Sequence, residues 1–332
     1  MSEARQNSEQ RMKRKAFGIQ YIIIGAAALL TFITVGVVGG AMFLLDFALT
    51  PESRGKNEVA SWQFMYERYE GMKAWHDSLT ACHALRDTFV CASDDTVRLH
   101  AYYVKAARPT RRTAVLVHGY TDNAVRIMML GRMYERDLGM NILVPDLRFA
   151  GQSGGSHIQM GWFDRHDVRS WIDVVPTLFG DSATIVVHGI SMGAATTMML
   201  SGDTLPSRVR TFVEDCGYTS VWEQFSKELK EQFGLPAFPL LHTASALCQW
   251  RYGWNFGEAS SLEQVKKCRL PMLFIHGSDD KFVPTEMVHT LHRAKPGTKD
   301  LWIAPKSLHA MSYHDHPQEY TEKIRAWVDR YL

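Results

Sequence analysis

The chain has 332 residues, 46% of them hydrophobic and 22% charged, with a formal net charge of +2. This suits one globular domain of generous size, or a domain with an appendage. The absence of a basic stripe in its body argues against a nucleic-acid-binding protein, and there is no internal repeat or low-complexity tract.

The N-terminal 1–15 segment is basic, with Arg5, Arg11, Lys13, Arg14 and Lys15. From Ala16 to Leu49 the only formal charge is Asp46. The uncharged part, 16–45, is about 30 residues long, enough to cross a bilayer core of roughly 30 Å. A cleaved signal peptide has an apolar stretch of only ~7–15 residues and a small-x-small cleavage site. Neither fits, so 16–49 reads as an uncleaved signal anchor. A buried core helix is the alternative, but no charged residue interrupts 16–45 to give it a solvent face. Gly36 and Gly40 form a small-xxx-small pattern that in some spans pairs helices. Positive charge precedes the span, and only Arg54 and Lys56 lie close after it. The positive-inside rule then keeps the N-terminus cytoplasmic and places the rest extracellular or periplasmic, or lumenal in a eukaryote.

In 50–84, Trp62, Met65, Tyr66, Tyr69, Met72 and Trp75 recur at helical spacing. They predict an amphipathic linker helix, lying at the membrane surface or packed on the domain as a cover. From 85 onward strands and helices alternate. Strands are expected near 97–103, 113–118, 141–145, 183–188, 209–213, 272–276 and 301–303. Helices are expected near 126–138, 167–178, 194–200 and 318–331, with a glycine-rich loop at 149–156. Such alternation implies right-handed βαβ units, a mostly parallel sheet covered on both faces, and a site at the carboxyl ends of its strands. The stretch 219–266 interrupts the alternation and carries Trp222, Phe225, Phe233, Phe238, Trp250, Trp254 and Phe256. It reads as a small helical lid, or as an elaborated crossover packed on the core. Five cysteines cannot all pair. Cys82 and Cys91 are the nearest candidates for a disulfide in an oxidising space. The alternative is five buried thiols, and Cys216 reads as a core residue.

Gly189-Ile190-Ser191-Met192-Gly193 lies between the 183–188 strand and the 194–200 helix. This is the strand–turn–helix context of a Gly-x-Ser-x-Gly nucleophile elbow. The turn exposes the serine hydroxyl, and the helix N-terminus offers free N–H groups where an oxyanion forms. A serine nucleophile needs a base and a group to orient that base. Both are supplied downstream, at the ends of later strands: Asp279-Asp280 after 272–276, and His309 after 301–303. Nothing in this set calls for a metal or organic cofactor. His314-Asp315-His316 offers metal-type donors but reads as a solvated helix start. His118 and His188, beside glycines at strand ends, read as structural, and Asp146 and Arg148 as loop-fixing groups.

From about residue 85 to its end the chain resembles the α/β-hydrolase family, most closely its small-lid, membrane-anchored serine hydrolases and esterases. The resemblance rests on His118-Gly119-Tyr120, on Asp146-Leu147-Arg148 with Gly151-Gln152-Ser153, on the elbow, and on His276-Gly277 with Asp280 and Val283-Pro284. It implies a hydrolase domain over 85–332 with catalytic Ser191, Asp280 and His309. Asp279 is the second candidate for the acid. The implied oxyanion donors are the backbone N–H groups of Tyr120 and Met192. Ester hydrolysis through an acyl-enzyme is the expected activity, on a small acyl ester or lipid-like substrate. The alternatives are a peptidase, a thioesterase or an acyltransferase on the same residues, or a catalytically silent receptor or scaffold. Dehalogenase and epoxide-hydrolase chemistry is excluded because their elbow carries Asp where this one carries Ser191.

Overall fold

The structure, a computed structural model, describes residues 2–52, 55–92 and 97–332. Arg54, one of the charges used for orientation, lies outside the described residues. One long helix, α1 (Ser2–Leu49), is followed by α2 (Glu58–Arg68) and α3 (Met72–Ala81). Strands β1 (Arg86–Cys91), β2 (Arg98–Val104) and β3 (Arg112–Val117) come next. A compound helical segment then joins a tight turn (Ala124–Ile127), α4 (Met128–Arg132) and a wide turn (Met133–Asp137). The chain continues through β4 (Asn141–Pro145), α5 (Asp164–Phe179), β5 (Thr184–Ile190), α6 (Met192–Ser201) and β6 (Val209–Asp215). Three helices, α7 (Val221–Phe233), α8 (Leu240–Tyr252) and α9 (Ser261–Val265), precede β7 (Met272–Gly277). The last elements are α10 (Glu286–Ala294), β8 (Lys299–Ala304), α11 (Ser312–Asp315) and α12 (Pro317–Tyr331).

The strands form one eight-stranded sheet in the order β1-β2-β4-β3-β5-β6-β7-β8. The pairings of β2 with β1 and β4 are antiparallel and all others are parallel. Strands buried on both faces need apolar residues at successive positions, and Ala114–Val117, Ile142–Val144 and Ile185–Val187 supply them. Val115, Val117, Ile185, Val187 and Phe212 face one core with α5, α6, the 219–266 helices and the end of α1. Ala114, Leu116, Ile142, Val186 and Val213 face the other, with α2, α3, the 124–137 segment and α12.

The structure departs from the sequence expectations in four places. Strand β1, whose half-exposed Arg-Asp-Thr-Phe-Val-Cys gives no clear alternation, was not anticipated. The 50–84 aromatics form two helices, because Tyr69 turns extended between them. They bury Trp62, Met65, Met72 and Trp75 in the core, with Trp75 Nε1 donating to Glu135 at 2.9 Å. The 126–138 helix is a compound of three turn types, and its wide turn holds the Tyr134 hydroxyl 3.1 Å from His188 Nδ1. All five cysteines are free: Cys82 and Cys91 are exposed and unpaired, so neither the disulfide nor five buried thiols holds.

Between Phe17 and Val35 the large apolar side chains of α1 are exposed, whereas Ala41, Leu45 and Leu49 are buried against the domain. Among the described residues, α1 alone is long and apolar enough to cross a membrane.

Candidate active site

Strand β5 ends at Ile190, and α6 begins at Met192, leaving Ser191 alone at the turn. Its backbone has φ 58° and ψ −119°, a strained conformation for a residue with a side chain. The flanking glycines make the turn possible. A Cβ on Gly189 would lie 2.0 Å from the Gly193 carbonyl oxygen, and one on Gly193 would lie 1.9 Å from that of Val117. Ser191 N–H donates to Asp215 O at 2.8 Å, which ties the turn to the neighbouring strand β6.

Ser191 Oγ lies 2.8 Å from His309 Nε2, and His309 Nδ1 lies 2.7 Å from Asp280 Oδ2. The three residues come from the ends of β5, β7 and β8, on one side of the sheet with β6 between β5 and β7. Asp280 is buried, and its other oxygen, Oδ1, accepts from the amides of Phe282 and Val283 at 3.0 and 2.9 Å. Burial pushes its pKa up, but hydrogen bonds and charge from His276 and His309 outweigh this and hold it at about 2. The Asp279 carboxylate instead accepts from the Ser278 hydroxyl at the surface. His276 Nε2–H donates to Val283 O at 2.8 Å and sits 3.3 Å from Asp280 Oδ2, so it supports the acid from below.

The other two predicted residues also meet here. Met192 opens α6, and Tyr120 follows Gly119, whose Cβ position would lie 3.6 Å from Ser191 Cβ. Among the described residues, neither the Tyr120 nor the Met192 amide donates to a backbone acceptor. Burial raises the Tyr120 phenol to about 12, so it stays a donor, and its hydroxyl bonds Ala48 O at 2.7 Å.

The remaining polar groups have structural partners. Leu147 N–H donates to His118 Nε2 at 2.9 Å, while His118 Nδ1–H donates to Gly119 O at 2.8 Å. This fixes the loop beside Tyr120. Asp146 accepts from the Ala124 and Gln152 amides and contacts His100 Nδ1 at 2.7 Å, and Arg148 pairs with Asp167. His188 is buried between the Tyr134 and Tyr320 hydroxyls, and burial lowers it to about 3. Cys216, Asp280 and His309 place three donor atoms within 4.8 Å of one another. Burial pushes the Cys216 thiol well up, which disfavours a thiolate ligand, and the other two groups are engaged with each other. His316 Nε2–H donates to Pro305 O at 2.8 Å and His314 pairs with Asp315, so that pair is committed to the helix start.

A cavity of about 790 Å³ opens beside Ser191 and Met192. Phe225, Leu229 and Phe233 of α7, Leu241 of α8 and Val283 contribute to its mainly apolar lining. Sequence reasoning missed one wall: Phe43, Leu44, Phe47 and Ala48, at the end of α1.

Among curated proteins, the uncharacterized protein YqkD of Bacillus subtilis is 29% identical over 309 residues, covering 93% of this chain and 97% of its own. Among solved structures, a Pyrococcus furiosus esterase superposes with a TM-score of 0.60 at 19% identity, covering 75% of this chain and 93% of the esterase. A putative dipeptidyl aminopeptidase IV from Bacteroides ovatus superposes with a TM-score of 0.58 at 18% identity, over 75% of this chain but 36% of the peptidase. These likenesses show the α/β-hydrolase fold. The prolyl oligopeptidase family model matches residues 126–332, which hold Ser191, Asp280 and His309. The chain therefore belongs to the prolyl oligopeptidase family, and is a serine hydrolase on the α/β-hydrolase fold.

Proposed function

We propose that the protein is a membrane-anchored serine hydrolase that cleaves carboxylic esters. The observation that carries this reading is the hydrogen-bonded series Ser191–His309–Asp280 opening into an apolar cavity. Ser191 Oγ attacks the carbonyl carbon while His309 Nε2 takes its proton. Asp280 holds the imidazole with Nδ1 protonated and stabilises the imidazolium. The amides of Tyr120 and Met192 stabilise the tetrahedral oxyanion; losing one such donor typically costs about 100- to 1000-fold in rate. The carbonyl–oxygen bond breaks and the alcohol leaves with the proton from His309. Water, deprotonated by His309, then cleaves the acyl-enzyme to a carboxylic acid and frees Ser191.

In this reading 1–15 is cytoplasmic, 16–49 is the anchor, 50–84 covers the domain and 85–332 is the hydrolase, facing away from the cytoplasm. A fluorophosphonate probe is expected to label the wild type and not Ser191→Ala. Hydrolysis of aryl esters but not of peptide anilides supports ester chemistry. The reverse preference supports a peptidase, the reading favoured by the fold shared with the Bacteroides ovatus protein. Protease added to intact cells is expected to reach the domain, and digestion only after lysis would reverse the orientation.

A further inference from the structure

The last stretch of α1, 40–49, does not stand apart from the domain. Gly40 lies so close to α8 that a Cβ there would be 3.2 Å from Leu240 Cδ2, and Ala41, Leu45 and Leu49 are buried. The last carbonyls of a helix have no partner within it. Here Ala48 O accepts from the Tyr120 hydroxyl at 2.7 Å, and Leu49 O from the Ile158 amide at 2.8 Å. Asp46 pairs with Arg251 of α8 at 2.7 Å. The face of α1 beside this seam carries Phe43, Leu44, Phe47 and Ala48, which line the same cavity as Ser191.

Aromatic rings crowd the α1 side of that cavity. Phe43 and Phe47 stack at 6.2 Å, and Phe47 meets Phe233 edge-on at 6.1 Å. Phe238 and Trp250, on the lid beside α1, are 72% and 81% exposed. Trp favours the membrane interface. They flank the helix that passes into the bilayer in the proposed setting. Among the described residues that line the cavity the charged ones are Asp46, Glu52 and Glu228, with no lysine, arginine or histidine, so the lining disfavours an anionic headgroup.

We infer that the end of the anchor helix is the acyl-binding wall of the active site. The substrate is then a long-chain fatty acyl ester with an uncharged headgroup, entering from the bilayer along α1. This rests on the ester-hydrolase reading and adds where the acyl chain comes from and what holds it. Phe47 and Leu44 set acyl-chain preference. Phe238 and Trp250, exposed beside α1 and outside the cavity lining, seat this part of the domain at the membrane surface.

The test uses the full chain in mixed micelles and in phosphatidylcholine vesicles, with 4-nitrophenyl butanoate, 4-nitrophenyl dodecanoate and a long-chain diacylglycerol as probes. Wild type is expected to prefer dodecanoate in kcat/KM. Phe47→Trp and Leu44→Trp, which fill the cavity, are expected to lower the dodecanoate-to-butanoate ratio at least 10-fold, and Phe47→Ala to raise it. Phe238→Ser with Trp250→Ser is expected to lower turnover of vesicle-borne diacylglycerol at least 5-fold more than that of dispersed butanoate. Ratios within 2-fold of wild type in all three cavity variants, with unchanged melting temperatures, overturn the acyl-wall assignment while leaving ester hydrolysis intact. Equal loss on both substrates in the double variant overturns entry from the bilayer. Labelling of Ser191 with no ester turnover at all overturns the ester reading itself, and with it this one.

Discussion

Replacing Asp280 by Asn tests the proposed triad at its most constrained atom. Asp280 Oδ1 accepts two backbone N–H bonds, from Phe282 and Val283, while Oδ2 faces His309 Nδ1. An amide at this position keeps its oxygen toward those two donors and turns its NH2 toward the imidazole. His309 Nδ1 must then accept, the ring proton moves to Nε2, and Nε2 can no longer take the proton of Ser191. A wrong-tautomer base of this kind is expected to cost about 10⁴ in kcat, or roughly 5.5 kcal/mol of transition-state stabilisation. Asp279→Asn, at the surface, is expected to stay within about 3-fold of wild type. The assay is kcat for an aryl ester, together with the rate of fluorophosphonate labelling. A loss under 10-fold for Asp280→Asn, or a larger loss for Asp279→Asn, refutes the reasoning. The same change alters the acid response. The folded-state pKa of Asp280 is depressed to about 2, so its stabilisation is present above the unfolded value, near 4, and is lost as pH falls toward 2. The variant is therefore expected to melt with less pH dependence than wild type between about pH 4 and 2.

Three further outcomes are expected. Gly189→Ala drives a Cβ into the Gly193 carbonyl and is expected to cost at least ~3 kcal/mol, beyond the usual overpacking penalty; a melting temperature equal to wild type would contradict the elbow geometry. Glu214 is buried, and burial raises it to about 8 despite the Gly217 amide and His276. Its folded pKa lies above the unfolded one, so the associated stability is full below about pH 4.3 and lost as pH rises through 8. Glu214→Gln is accordingly expected to flatten the fall in melting temperature between pH 5 and 9, and an unchanged slope would count against this. Tyr120→Phe keeps the amide but removes the donor to Ala48 O, at an expected cost of about 1–3 kcal/mol. Faster proteolysis between α1 and the domain should accompany that loss, and unaltered proteolysis would mean the hydroxyl does not hold the helix.

The central strands and the elbow were legible because local signals and global fold agree there. Buried parallel strands are continuous apolar runs, and the turn at Ser191 admits only glycine at 189 and 193. Asp280 and His309 were legible from their places after successive strands. The end of α1 was not, for a physical reason. Phe43, Leu44 and Phe47 are apolar whether lipid, lid or substrate lies against them, so hydropathy reads 16–49 as one span. The closeness of Gly40 to Leu240 and the role of Ala48 O depend on contacts with residues far along the chain, which no local pattern reports. The break at Tyr69 has the same character: Trp62 and Trp75 keep helical spacing across it because both helices face one core.

The bonds from Ala48 and Leu49 to the domain leave no slack between α1 and Ser191. In the proposed setting the hydrolase is mounted, not tethered. It cannot swing outward to sample solution, and Ser191 works at one fixed height above the lipid surface. Its effective substrate supply is then counted per area of membrane and not per volume of fluid. Lateral diffusion and crowding in the bilayer would govern its encounters, and lengthening the helix by a single turn would lift the nucleophile out of register with them.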